Sequence, residues 1–278
     1  MRSSSIPACI GQRASECSAR AASSNASTRR PTPRSNRAEW VSTARGLGYR
    51  PQPQPMPDAI IFDMDGVLVD SEPLWRRAEK QVFATERIAL TDEMCMQTMG
   101  WRLSEVVVHW LAVFDRPVAR APSLEAAIVD ALCDLVGREG TAMPGVEQAL
   151  ELARRRNVAV ALASSSAQRI IDTVLERLNL NEAFDAVCSA QFEQHGKPHP
   201  AVYMRAADAV GIPGPRCAAV EDSVPGLISA CAARMRTIAV PEAHAAGDPR
   251  YAIADLRLGS LLELTDEVLD HLAGIGAN

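Results

Sequence analysis

The chain has 278 residues, 47% of them hydrophobic, and a formal net charge of −5. That is enough apolar material for a sizeable core without disulfide or metal staples, and the acidic balance argues against a nucleic-acid binder. No apolar run approaches a membrane span, and the seven cysteines form no CxxC pair, so they read as buried thiols in the reducing cytoplasm.

Residues 1–50 hold nine arginines, no lysine and two acids, Glu16 and Glu39, among many Ser and Ala. With so little periodic apolar surface, the segment is expected to be disordered. Its composition also suits an organellar transit peptide, although no charged-then-apolar secretory leader is recognisable. A third reading, which we prefer, makes Met56, after "RPQPQP", the true first residue, because ordered pattern begins directly behind it. The expected organisation is an extension over 1–56, a core domain over 57–70 and 145–278, and a helical cap over 71–144.

From residue 58 onward, short apolar runs alternate with amphipathic patterns. "AIIF" (59–62) is the first expected strand, followed by "VAVALA" (158–163), "FDAVCSA" (184–190), "CAAVE" (217–221), "TIAV" (237–240) and "DLRL" (255–258). Helical patterns cover 145–157, 167–180, 200–211 and 225–235. Near-continuous apolar strands separated by helices predict an α/β fold, a parallel sheet covered on both faces. Between the first two strands, residues 71–143 read as helices throughout. A crossover between neighbouring parallel strands needs only one helix, so this stretch predicts an insertion. Pro144 and Gly145 mark its return as a hinge-compatible turn.

In such sheets, ligands bind beyond the carboxyl ends of the strands. The first strand ends in Asp63, Met64, Asp65 and Gly66; the second in Ser164, Ser165 and Ser166; the fourth in Glu221, Asp222 and Ser223. Lys197 sits in the "HGKPHP" loop. Carboxylates gathered from separate strands repel unless a cation neutralises them, and an all-oxygen set suits Mg²⁺. A lysine and hydroxyls beside that cation are what a phosphoryl group requires. Singly these signals are weak: most DxD pairs are turns or helix caps, Ser166 has the position of an ordinary N-cap, and His199 reads as a surface residue at a helix start. Their joint placement at the strand ends distinguishes them.

"DMDGVLVDSE", the strand-ending Ser164, "GKPHP" and "EDSVPG" together resemble the haloacid dehalogenase superfamily of phosphotransferases. The resemblance covers residue 57 to the C-terminus and implies a Rossmann-like core. The insertion after the first motif resembles the helical-cap branch that includes β-phosphoglucomutases and small sugar phosphatases. "DSEPLW", "TMGWR", "KPHPAVY" and "DPRYAIADLRLGSLLELT" are most similar to its bacterial hexitol phosphatases.

By that resemblance Asp63 is the nucleophile and Asp65 the acid/base. Asp63, the Asp65 carbonyl and Asp222 hold Mg²⁺, with Glu221 close by, through water. Ser164, the Ser165 backbone and Lys197 grip the phosphoryl oxygens. The implied substrates are hexitol or sugar phosphates such as 2-deoxyglucose 6-phosphate, sorbitol 6-phosphate or mannitol 1-phosphate, hydrolysed by a cytoplasmic monomer without membrane or nucleic-acid partners. β-Phosphoglucomutase or phosphoglycolate phosphatase activity is the alternative on the same scaffold. Mutases of the family carry a histidine where this chain has Trp75, which reads equally as cap–core packing or sugar stacking. Arg102 lies one position before the arginine with which mutases hold a second phosphate. A response-regulator receiver lacks the insertion, and a dehalogenase proper normally lacks the second Asp of DxD.

Overall fold

The computed structural model describes residues 57–274, so the expectation of an extension over 1–56 lies outside the described residues. Six parallel strands, β1 (Ala59–Phe62), β2 (Ala159–Ser164), β3 (Ala186–Ser189), β4 (Cys217–Glu221), β5 (Arg236–Ala239) and β6 (Leu256–Arg257), form one sheet in the order β3-β2-β1-β4-β5-β6. The chain moves outward from β1 to β3 and then returns to start again at β4. The gap at the carboxyl ends of β1 and β4 is therefore the crevice where a ligand is expected.

The two faces of the sheet differ in side-chain size. Ile60, Phe62, Leu162 and Val220 point to one face and pack with α5 (Val146–Arg155) and α6 (Gln168–Arg177) in the larger core. Their neighbours Ala59, Ile61, Ala161, Ala163, Cys217 and Ala219 point to the other face. There α7 (Ala201–Ala209) and α8 (Val224–Ala232) lie over small residues, and the ring of Tyr203 is fully buried beneath α7. The sequence expected all six strands to within two residues at either end, with β3 and β6 shorter than their apolar runs.

Four α-helices enter between β1 and α5: α1 (Glu72–Thr85), α2 (Asp92–Gln97), α3 (Leu103–Val113) and α4 (Ala121–Glu139). The six-residue α2, capped by Thr91 accepting from Met94 N–H, is too short to show a helical period in sequence. A C-terminal helix, α9 (Asp266–Gly274), completes the described chain. The strands of chain that enter and leave the insertion are zipped together. Val69 pairs with Ala142 antiparallel, Asp70 N–H donates to the Thr141 carbonyl at 3.0 Å, and Met143 N–H donates to the Leu68 carbonyl at 3.0 Å. Gly145 has φ +96°, and a Cβ there would fall 2.3 Å from Leu262 N, so this end of the linker is packed tight against the C-terminal segment. No helix of the described residues is long and apolar enough to cross a membrane.

Candidate active site

The turn after β1 is built to bring backbone close to a neighbouring acid. Asp63 N–H donates to the Val220 carbonyl at 2.9 Å, which continues the β1–β4 ladder one residue past the strand. Leu68 N–H to Met64 O (2.8 Å) and Gly66 N–H to Val69 O (3.0 Å) then close the turn. Gly66 has φ +72°, and a Cβ on it would lie 2.2 Å from Asp222 Oδ2. Only glycine can take this conformation in this space.

Lys197 joins three strands. Its Nζ donates to Asp63 Oδ1 at 2.6 Å, to Glu221 Oε1 at 2.7 Å and to the Ala163 carbonyl at 3.0 Å, using all three of its protons. Glu221 Oε1 also accepts from the Tyr203 hydroxyl at 2.7 Å, and Oε2 from Ser223 Oγ at 3.0 Å. Both oxygens of Glu221 are thus committed to protein donors. Asp222, beside it, is held at its carbonyl by the Tyr251 hydroxyl.

Burial opposes the charge on Lys197, but Asp63 and Glu221 outweigh it and hold the ammonium above its ordinary value. Burial pushes Asp63 up to about 7 against the pull of Lys197, with Glu221 and Asp65 adding to the rise. Asp222 is raised well above the usual carboxylate range, by burial first and then by Asp63 and Glu221.

Asp63, Glu221 and Asp222 offer oxygens all within 4.8 Å of one another. Three buried carboxylates face one ammonium, an excess of negative charge in an all-oxygen setting. The set fits a hard divalent cation. With Glu221 already saturated, Asp63 and Asp222 are the carboxylates open to it.

Asp65, though only two residues from Asp63, has different company. Ser71 Oγ donates to its Oδ1 at 2.6 Å, the Trp75 indole N–H to the same oxygen at 2.8 Å, and Ser166 Oγ to Oδ2 at 2.7 Å. This corrects one expectation and adds to another. Ser166 is no N-cap: α6 is preceded by Ala167, and the Ser166 hydroxyl crosses to Asp65 instead. Trp75 does more than pack, since its N–H ties the insertion to the turn of the first motif.

The remaining candidates fall at different depths. Ser164 is fully buried, its Oγ accepting from Ser166 N–H at 3.0 Å, while Ser165 and Ser166 line the cavity above it. Ser165 Oγ donates to the Gly100 carbonyl of the insertion at 3.4 Å. Arg102 is not among the cavity residues. It packs on Gly196, where an added Cβ would sit 3.2 Å from the Arg102 Cβ, and its Nε and Nη2 are buried without a hydrogen-bond partner among the described residues. His199 is exposed at the start of α7, accepting from Ala201 N–H at 3.3 Å, as the sequence implied.

The cavity has a floor of Asp63, Asp65, Lys197 and Asp222 and a roof from the insertion. Glu72, Trp75, Arg76 and Glu79 of α1 form one side of that roof, with Met99 and Trp101 beyond them. Sequence reasoning missed Glu72 and Glu79, and also Ser71 and Tyr203 around the acids, while Ser223 stands at the strand end where it was expected. The only available signal was the i, i+3, i+4, i+7 spacing of the α1 residues.

A crevice at the switch point of a parallel sheet, with a DxDG turn, a lysine and paired acids, defines a hydrolase of the haloacid dehalogenase type. The chain belongs to that family: the haloacid dehalogenase-like hydrolase profile matches residues 57–234. It is a phosphatase, and hexitol phosphatase B of Escherichia coli (strain K12) is 41% identical to it over 210 residues, 74% of this chain and 94% of that protein. Among solved structures, CbbY from Rhodobacter sphaeroides in complex with phosphate matches with a TM-score of 0.70 and 26% identity, over 77% of this chain and 100% of that one. The β-phosphoglucomutase of Clostridium difficile shares the fold, with a TM-score of 0.70 at 21% identity over 78% of this chain and 97% of its own.

Proposed function

We propose that the protein hydrolyses the phosphate esters of small sugars or sugar alcohols through an aspartyl phosphate, with Mg²⁺ as its cation. The observation that supports this best is the division between two acids on one turn. Asp63 meets an ammonium through Oδ1 and has no hydrogen-bond partner at Oδ2 among the described residues. Asp65 is held by three uncharged donors. One acid is arranged as a nucleophile, the other as a group that passes a proton.

In this reading Asp63 Oδ2 attacks phosphorus, and the bond to the leaving sugar oxygen breaks as Asp65 gives that oxygen its proton. The sugar departs as an alcohol. Water then attacks the phosphorus of the aspartyl phosphate, Asp65 takes its proton back, and inorganic phosphate leaves with Asp63 regenerated. Lys197 and the Ser164–Ser165 segment would hold the phosphoryl oxygens. Asp63, Asp222 and the Asp65 carbonyl would hold Mg²⁺, which when bound offsets the charge that carboxylates and phosphate bring together. The helical insertion, residues 71–144, would serve as the cap over a core of 57–70 and 145–278. The name of the 41%-identical relative supports a hexitol phosphate as substrate.

The test is to follow phosphorus by NMR with Mg²⁺ and two substrates, sorbitol 6-phosphate and β-glucose 1-phosphate primed with the bisphosphate. Inorganic phosphate should grow from the first at a rate typical of enzymes, roughly 1–10³ s⁻¹. A glucose 6-phosphate signal outgrowing free phosphate would make the protein a mutase and overturn the reading.

A further inference from the structure

We propose that the face of α1 bearing Glu72, Arg76 and Glu79 reads the leaving group, selecting an uncharged polyhydroxylated one and rejecting a second phosphate. The inference rests on the phosphatase reading above and goes on to the part of the substrate that reading leaves open. With Trp75, these residues are spaced i, i+3, i+4 and i+7, so they lie along one stripe of α1, and all four line the cavity. Trp75 fixes that stripe to the chemistry by its 2.8 Å bond to Asp65. A group leaving with its oxygen at Asp65 must therefore pass along the neighbours of Trp75.

Those neighbours are short of partners. Glu79 is 7% exposed, lines the cavity, and lies beside the Cys95 thiol. No cation forms an ion pair with it among the described residues. The guanidinium of Arg76 is already drawn elsewhere, 3.7 Å from Glu72 Oε2 and 4.0 Å from Asp92 Oδ1. Buried carboxyls ordinarily collect several donors. Both glutamates line the cavity a substrate would fill, and burial pushes Glu79 up to about 7 and Glu72 up to about 8.

A row of vicinal hydroxyls supplies what is missing, because each hydroxyl both donates and accepts. A hydrocarbon or aryl group supplies nothing. Above about pH 8, where Glu72 and Glu79 are ionised, a second phosphate would bring about two further negative charges toward them, with only a shared Arg76 to oppose the repulsion.

Substitution of Glu79 tests this with two pairs of esters in the presence of Mg²⁺. In Glu79→Leu, the ratio of kcat/KM for sorbitol 6-phosphate to that for p-nitrophenyl phosphate should fall by about 10- to 100-fold, the loss expected for a hydrogen bond to a carboxyl. Glu79→Gln offers a donor and an acceptor in the same shape and should restore most of that ratio. Assayed at about pH 8.5, where Glu79 is ionised, the same glutamine variant should narrow the preference for fructose 6-phosphate over fructose 1,6-bisphosphate about fivefold or more, since it removes the charge while keeping the shape. Equal losses on both monoesters, a glutamine variant as defective as leucine, or an unchanged bisphosphate preference would each overturn the proposal. If Glu79→Leu does not fold, the bisphosphate measurement on Glu79→Gln decides alone. A wild-type protein that releases phosphate from none of the esters would instead remove the phosphatase reading, and this inference with it.

Discussion

Asp63 and Lys197 are bonded to each other, yet replacing them should have opposite consequences. Asp63 is one of three buried acids around a single ammonium, so Asp63→Asn relieves charge while removing the attacking oxygen. Turnover should fall by at least about a thousandfold, with a melting temperature in the absence of divalent cation equal to or above that of wild type. Activity within tenfold of wild type would remove Asp63 from the nucleophile role. Lys197→Met leaves the acids without a counter-charge and the Ala163 carbonyl without its donor. That should cost about 3–5 kcal/mol of folding stability, as a denaturant titration would measure, because a buried pair broken on one side leaves an uncompensated charge. A fully stable Lys197→Met protein would show that Asp63, Glu221 and Asp222 do not depend on it.

At the scale of elements, α1 matters because it connects the insertion to the first motif through one indole. Trp75→Phe keeps the aromatic surface but deletes one of two donors to Asp65 Oδ1. A hydrogen bond to a charged group contributes about 1.5–3 kcal/mol, so kcat should drop by about 10- to 100-fold with KM little changed. A rise in KM with kcat intact would place Trp75 on the leaving group instead. This contact also shows where sequence stops being informative. The strands were legible because a buried parallel strand is a local apolar run, and the motif acids because strand ends are local too. Asp65 and Ser166 are 101 residues apart, and Trp75 reaches Asp65 only because α1 turns back over the sheet. Nothing in the sequence sets Glu79 apart from the other charges of a helical run. Its burial depends on α2, whose Cys95 lies beside it and whose six residues left no period to find.

For the molecule as a whole, the acid cluster makes stability depend on cation and pH together. Asp63 and Asp222 are both raised by burial, so over the range above the ordinary carboxylate value the unfolded chain has lost these protons while the folded one still holds them. The folded state then binds more protons than the unfolded state, and stability falls as pH rises through that window. Below the unfolded value both states are protonated and the penalty vanishes. A divalent cation reverses the sign of the problem, because it favours the ionised acids and binds only where the fold has assembled them. At a concentration about 100 times its dissociation constant it should add about 2.7 kcal/mol, or roughly 5–10 °C in Tm for a domain of this size. The increment should be larger at pH 8 than at pH 5.5, where protons compete for the same oxygens. Thermal melts with MgCl₂ or EDTA at the two pH values would measure it, and Asp222→Asn should abolish most of the difference. An increment equal at both pH values, or one that persists in Asp222→Asn, would place the cation somewhere other than between Asp63 and Asp222.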